Sequence, residues 1–430
     1  MSKLGDFVRV QGGYAFKSSE LSDDKTGVPV IKIGNITGGS FVDLSNYQSV
    51  SFQLFEKTKS FATKDNDILI AMTGANVGKT SRVPVNSDAY LINQRVGRFL
   101  LKEDCPYTSD FIYYVVSSKQ AYQYFSRVAD GAAQPNISGK TIEDLEFPNI
   151  DSRFANKIGN ILKSLDDKIQ LNTQINQTLE QIAQTIFKSW FIDFDPVHAK
   201  ANALASGQTA EQATQAAMAV ISGKNTQELH RLQTANLEQY QQLWEIAEAF
   251  PSGFDEEGVP RGWEERYLKD VCNIVYGKGL PKNKLTEKGF YVFGANGVIG
   301  FYDSYTYEKP QVLIGCRGTV GQVTLSYPYS FVTNNSLVIE YENSCVSMYY
   351  LEKYLSNINL KEISSGSVQP QITIQNMSKV KILIPNIEIL NFYSEKVKEI
   401  YDKRLHHFYE NQSLSKVRDL LLPKLLSGEV

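Results

Sequence analysis

The sequence predicts an α+β fold: two pseudo-repeated mixed α/β domains separated by a long antiparallel helical (coiled-coil) spacer. Three observations carry that prediction. First, residues 151–194 place apolar side chains three and four apart, from Ile158 through Leu162, Leu165, Ile169, Ile175, Leu179 and Ile182 to Ile186. That spacing is one face of a long helix. Second, the cassette Asn176, Gln177, Leu179, Ile182 returns 235 positions on as Asn411, Gln412, Leu414, Val417. Third, the segments ahead of the two helices run through the same ordered signals, which marks an internal duplication.

Residues 1–150 form the first globular domain. The apolar runs at 29–33, 67–72 and 95–101 lie between Gly, Asn and Asp punctuation and predict strands. Asp110 to Arg127 has helical spacing. Residues 151–194 are the first long helix, and its heptad row through Ile158, Leu165, Leu179 and Ile186 includes Asn172. A buried Asn in such a row costs stability but fixes register.

Residues 195–262 are a helical insert and linker. Thr209 to Gln212 forms a capping box that opens an Ala-rich helix to Val220, and Leu229 to Phe250 marks a second helix stopped at Pro251. Residues 263–385 repeat the first domain. Leu4-Gly5-Asp6 returns as Leu268-Lys269-Asp270, Ile68–Gly78 as Val312–Gly321, and Asn93-Gln94 as Asn334-Asn335. The helix at 110–127 returns at 347–357, and Gln134-Pro135-Asn136-Ile137 as Gln369-Pro370-Gln371-Ile372. Residues 386–430 are the second long helix. Ile169, Ile175, Leu179 and Ile182 are expected to pack against its Val397, Ile400, Leu414 and Val417.

Composition narrows the function. At 42% hydrophobic and 21% charged, the chain is ordinary for a soluble globular protein. No signal peptide opens it and no apolar run approaches a membrane span, so a cytoplasmic location is expected. Four scattered cysteines without a Cys-x-x-Cys pair, and four histidines without a cluster, argue against a metal site. Charge is balanced over 1–150, slightly basic over 263–385 and acidic over 151–262. The globular domains therefore permit an anionic partner without demanding one.

Catalytic motifs do not assemble. Gly74–Thr80 resembles a phosphate-binding loop but has three residues between its glycines where four are needed, and its copy carries Gln322 in place of Lys79. No two prolines are adjacent, which removes the Asn/Asp-Pro-Pro-aromatic loop of amino methyl transfer. The loops are instead rich in groups that pair with base edges and hold phosphates. The candidates are Tyr14, Lys17, Thr73, Asn76, Lys79, Asn93, Gln94 and Arg95, then Lys278, Lys282, Arg317, Thr319, Asn334 and Asn335.

The order of these signals carries a resemblance. A strand and Gly loop lead to Gly-x-x-Gln-Pro-x-Ile, then Phe/Ile-Pro, a long helix, Trp190-Phe191-x-x-Phe194, Pro260-x-Gly-Trp263, and a second round. Over essentially its whole length the chain resembles the specificity subunit of Type I restriction–modification systems. The resemblance implies two target-recognition domains, each reading one half of a split site in double-stranded DNA. It implies a complex with two modification (methyltransferase) subunits and with restriction/motor subunits. No catalytic role or cofactor is expected on this chain; S-adenosylmethionine, ATP and Mg are expected on the partner subunits, whose complex would methylate adenine and cleave DNA. Two alternatives stand beside it: a nucleotide-binding enzyme using the Gly74–Thr80 loop, and a structural coiled-coil adaptor.

Overall fold

The computed structural model describes residues 2–85, 88–129, 135–366 and 369–427. The chain divides into two compact units, Met1–Thr173 with Phe408–Val430, and Gln174–His407. Each holds one globular domain and a stretch of both long helices, which span Ser152–Phe191 and Ile387–Ser427.

In the first unit a four-stranded antiparallel sheet has the spatial order Val8–Gly12, Val96–Leu101, Ile68–Ala71, Thr80–Arg82. The run Ile68-Leu69-Ile70-Ala71 is apolar throughout because both faces of its strand are covered. Ile68 and Ile70 join one core cluster while Leu69 and Ala71 join another, as the two-residue period of a strand requires. A smaller sheet pairs Val28–Ile31 antiparallel with Gln48–Val50 and parallel with Leu91–Ile92. The helix expected over 110–127 is two helices, Ser109–Val116 and Lys119–Val128. The break falls where Ser118 leaves the helix and accepts the Ala121 N–H, because a Ser cap competes with helix continuation.

The second unit repeats the order and pairing of both sheets, and adds a two-stranded sheet, Glu264–Tyr267 antiparallel with Lys381–Ile384, where the first unit has the bridge Lys3–Glu146. Its four-stranded sheet runs Asn273–Tyr276, Ser336–Glu340, Val312–Gly315, Val323–Leu325. Its smaller sheet pairs Phe290–Gly294 antiparallel with Gly297–Tyr302 and parallel with Phe331–Val332. The duplication read from sequence is thus a duplication of topology.

The insert belongs to this unit as four helices, Asp195–Ala205, Ala210–Ser222, Thr226–Ala235 and Leu237–Ala249. The capping box at Thr209 and Gln212 forms as expected. The single helix expected over 229–250 is broken at Asn236, which caps the following helix by accepting the Gln239 N–H. The helix Asp195–Ala205 lacks a strong apolar stripe, but Pro196 in its first turn is a start signal. Buried Lys200 donates to the Ala247, Glu248 and Phe250 carbonyls at 3.2, 3.1 and 2.6 Å, closing the end of the last insert helix. Burial lowers the pKa of that ammonium. The Trp-Phe-x-x-Phe motif forms an aromatic plug: the Phe191 ring lies 4.9 Å from Tyr350 and 5.9 Å from Trp263, and Trp190 lies 5.2 Å from Phe250.

Polar contacts fix the register of the long helices, which run antiparallel within each unit. In the first unit Asn172 is fully buried, as expected, and its amide donates to Glu410 at 2.7 Å and to Asn411 at 2.8 Å. The Asn411 amide in turn donates to the Ile169 carbonyl at 3.4 Å. In the second unit the relation returns at the 235-residue offset with the helices exchanging roles. The Asn176 amide donates to the Arg404 carbonyl at 3.2 Å, and its Oδ1 lies 2.9 Å from His407 Nδ1.

The expected apolar seam needs correction. Val397 is fully buried, and Ile169, Ile175, Leu179, Ile400 and Leu414 are half-buried, but Ile182 and Val417 stand 43% and 45% exposed. A straight helix drifts by roughly 20° per heptad against a strict seven-residue row. Ala183 and Phe187, both fully buried, take the place of Ile182.

Each unit also clamps its helices with buried charge. In the first, Asp166 accepts from Arg82 at 2.9 Å, Arg418 at 2.7 Å, the Tyr114 hydroxyl at 2.7 Å and Ser40 at 3.1 Å. Burial works against the charge on Arg82, and the adjacent tyrosines and carboxylates outweigh it, raising its pKa. In the second, Glu180 takes buried Lys353 and Arg404, while the Tyr401 hydroxyl donates to Glu352 at 2.7 Å. Burial disfavours the Glu180 carboxylate, but the hydrogen bond and charge of Lys353, with Arg404, prevail and hold its pKa below the usual value.

Two expected outcomes follow from these clamps. Asp166→Ala leaves Arg82 and Arg418 without their counter-charge. Removing one partner of a buried pair costs about 3–5 kcal/mol, so the urea midpoint should fall with an unchanged slope. A midpoint equal to wild type would refute the clamp. Because the folded pKa of Glu180 is depressed, its stabilisation is present above the unfolded carboxylate pKa of about 4.3. That stabilisation is lost as pH falls through the folded value. Glu180→Gln should therefore flatten the acid limb of the stability profile; an acid limb as steep as wild type would count against this assignment.

Candidate nucleic-acid interface

The loops at one end of each four-stranded sheet are tied by matching main-chain hydrogen bonds. In the first unit Tyr14 N donates to Ile92 O at 2.8 Å, Gln94 N to Tyr14 O at 2.8 Å, and Met72 N to Arg95 O at 2.9 Å. In the second, Lys278 N donates to Val332 O at 2.9 Å, Asn334 N to Lys278 O at 3.1 Å, and Cys316 N to Asn335 O at 2.9 Å. The parallel bridges Tyr14–Asn93 and Lys278–Thr333 agree.

These bonds define equivalence residue by residue: Tyr14 with Lys278, Thr73 with Arg317, Gln94 with Asn334, and Arg95 with Asn335. The alignment of Asn93-Gln94 with Asn334-Asn335 is therefore off by one, and Asn93 corresponds to Thr333. Similar side chains suggested the wrong register, which the backbone pairing decides.

Glycines shape the loop between a central strand, Ile68–Ala71, and the edge strand Thr80–Arg82. Gly74 and Gly78 have φ of +76° and +81°, and Gly318 and Gly321 in the copy have +78° and +81°. That region favours glycine. A Cβ on Gly78 would also sit 2.8 Å from the Phe125 Cβ. The loop runs into the strand Thr80–Arg82 and not into a helix, so Gly74–Thr80 lacks the helix N-terminus that makes a phosphate cradle.

Within the first unit Thr73, Gln94 and Arg95 converge with Met72 and Asn136 on an open cleft of about 490 Å³. Gln94 and Arg95 are exposed, and Tyr14 is half-buried with its ring 4.9 Å from Phe16 and 5.5 Å from Phe61. Asn76 and Lys79 do not line this cleft. The Asn76 amide donates to the Ile33 carbonyl at 3.0 Å, and Lys79 Nζ donates to Asn76 Oδ1 at 2.9 Å. Lys79 lines a second cleft with Lys119 and Tyr122. The Asn93 side chain accepts from Arg95 N at 3.4 Å. Lys17 is exposed beside the turn Ser18–Glu20. In the second unit Lys278, Lys282, Arg317, Thr319, Asn334 and Asn335 are all exposed.

Sequence reasoning missed Asn136 and Gln371 as candidates. The available signal was the variable position inside Gln-Pro-x-Ile; Gln134 of that motif lies outside the described residues. Among the described residues no cluster of His, Cys, Asp or Glu could hold a metal, and no helix is long and apolar enough to cross a membrane.

Exposed amides, hydroxyls and cationic groups on two copies of one hydrogen-bonded frame define a duplicated recognition protein. The family model described as Type I restriction modification DNA specificity domain matches residues 1–181 and 260–417, and the chain belongs to that family. It is similar to the Type I restriction enzyme HindI specificity subunit of Haemophilus influenzae, 34% identical over 440 residues, covering 94% of each chain. It is also similar to the MjaIX specificity subunit of Methanocaldococcus jannaschii, 23% identical, covering 94% of this chain and 89% of that one. The crystal structure of a Type I S subunit from M. genitalium shares the fold, with a TM-score of 0.56 and 17% identity over 98% of this chain and 94% of that one. The chain is thus a non-catalytic DNA specificity subunit, and the enzyme and adaptor alternatives fall away.

The contacts of Asn76 separate support from readout. Asn76→Ala should lower stability by about 1 kcal/mol, the net worth of a typical hydrogen bond, and leave sequence preference unchanged. A mutant of wild-type stability with altered preference would contradict that placement.

Proposed function

We propose that the two globular domains, taken as residues 1–150 and 263–385, each read one half of a split site in double-stranded DNA. The observation that carries this reading is a shared backbone frame fitted with different side chains. Gln94, Asn334 and Asn335 have the chemistry to pair with adenine, and Arg95, Arg317 and Lys278 with guanine. Lys17, Lys79, Lys282 and Thr319 suit phosphates; the Thr73 hydroxyl is buried, Tyr14 packs on Phe16 and Phe61, and Asn76 and Asn93 support the loops.

The subunit carries no chemistry in this proposal. It brings two modification subunits and the restriction/motor subunits to the target, in the cytoplasm, and S-adenosylmethionine, ATP and Mg act on those partners. Ile182 in the second unit and Val417 in the first are exposed, and each separately suits a contact with a partner subunit, since an apolar side chain gains by being covered.

Replacing residues 1–150 with the corresponding domain of another specificity subunit tests the reading. Methylation mapping of the assembled complex should show one half of the target changed and the other retained. A change in both halves, or in neither, would refute independent reading.

A further inference from the structure

We infer that Asn136 and Gln371 are equivalent specificity-determining residues, each presenting its carboxamide to an adenine edge in its half-site. The inference rests on the reading of the globular domains as DNA readers and extends it to two residues outside the candidate set drawn from sequence.

Their equivalence comes from the backbone. Ile137 N donates to Met72 O at 2.9 Å, and Ile372 N donates to Cys316 O at 3.2 Å, where Met72 and Cys316 are themselves matched. Two positions beyond each residue a hydroxyl caps a short helix: Ser138 opens Gly139–Glu143 and Thr373 opens Ile374–Met377. The flanking residues are constant, Pro135 and Pro370 before, and fully buried Ile137 and Ile372 after. Only the residue between them differs.

That residue is held by its main chain and leaves its side chain unused. Asn136 bridges Thr73, and the preceding Pro135 carbonyl accepts from Gly74 N at 2.9 Å. Gln371 exchanges both main-chain hydrogen bonds with Ser365, at 2.8 and 2.9 Å. Asn136 is exposed and Gln371 half-buried, and among the described residues neither carboxamide makes a hydrogen bond. Asn136 lies at the cleft with Thr73, Gln94 and Arg95. A carboxamide carries the donor and acceptor that match adenine N7 and N6 in the major groove. A rigid backbone behind it reduces the ordering cost of binding. The extra methylene of Gln371 gives a longer reach, so the same frame would address its adenine from further back.

The test uses the complex assembled with its modification subunits and a set of duplexes in which each base pair of the target is changed in turn. Asn136→Ala should reduce discrimination at one base pair of one half-site by roughly 10- to 100-fold. The other half-site, and the slope of log K against log salt, should stay as in wild type. Gln371→Ala should do the same in the other half. Asn136→Asp keeps the shape but replaces the donor face with an acceptor, and should turn against adenine at that same position. Unchanged discrimination in these variants would overturn the inference, as would a uniform loss over all sequences or a salt slope reduced by about one. If exchange of residues 1–150 changes one half-target while these variants are silent, only the assignment of Asn136 and Gln371 fails. If the exchange itself is silent, the reading beneath it fails.

Discussion

A carboxylate sealed from solvent organises the first unit. Asp166 brings together a residue from the sheet, Arg82, one from the second long helix, Arg418, and the hydroxyl of Tyr114. Its buried oxygens keep their donors only while all three elements hold one mutual register. Buried pairs of this kind add little net stability compared with apolar packing, yet they penalise every misfit arrangement. Glu180 with Lys353 and Arg404 imposes the corresponding constraint in the second unit. The Asn172 and Asn176 contacts act in the same sense along the helices, where a slip of one turn would bury unpaired amides.

The family match covers residues 1–181 and 260–417 and so leaves most of the insert outside it. The insert nevertheless has a defined place in the second unit, because Phe250 packs on Trp190 and Asn386 donates to the Ala249 carbonyl at 3.1 Å. Its four helices are built from strong local signals, caps at Thr209, Asn225 and Asn236 among them. They are joined to the domain by the Asn386 hydrogen bond and by Val197, Ile221, Ile246 and Phe250, which pack into its core.

Much of this architecture was legible in the sequence because its signals are local or repeated. Apolar spacing gave both long helices to within a few residues, and the ordered echoes gave the duplication. What was not legible depends on which distant groups meet. Arg82 and Asp166 are 84 positions apart, and nothing in either neighbourhood announces the other. The one-residue error at Asn93 arose because side-chain likeness was taken as register, which main-chain pairing sets. Ile182 and Val417 fit the heptad but not the seam, since period alone does not say where drift carries a residue out of contact. The breaks at Ser118 and Asn236 show a cap overruling an apolar stripe. Asn136 was visible only as an unnamed letter between Pro and Ile.

The loops at the end of each four-stranded sheet are tied by main-chain N–H and carbonyl groups, which every residue except proline supplies alike, with the Asn76 and Asn93 side chains adding support in the first unit. Side chains such as Gln94, Arg95, Arg317 and Asn334 project from that scaffold without supporting it. Exchanging one exposed residue for another away from structural features shifts stability by only about 0.5 kcal/mol. In the proposed reading, new preferences arise by single substitutions with almost no folding penalty, and the duplicated scaffold lets one half drift while the other keeps its target. Seen as heredity rather than as structure, the frame separates what must persist for the chain to fold from what is free to vary between lineages.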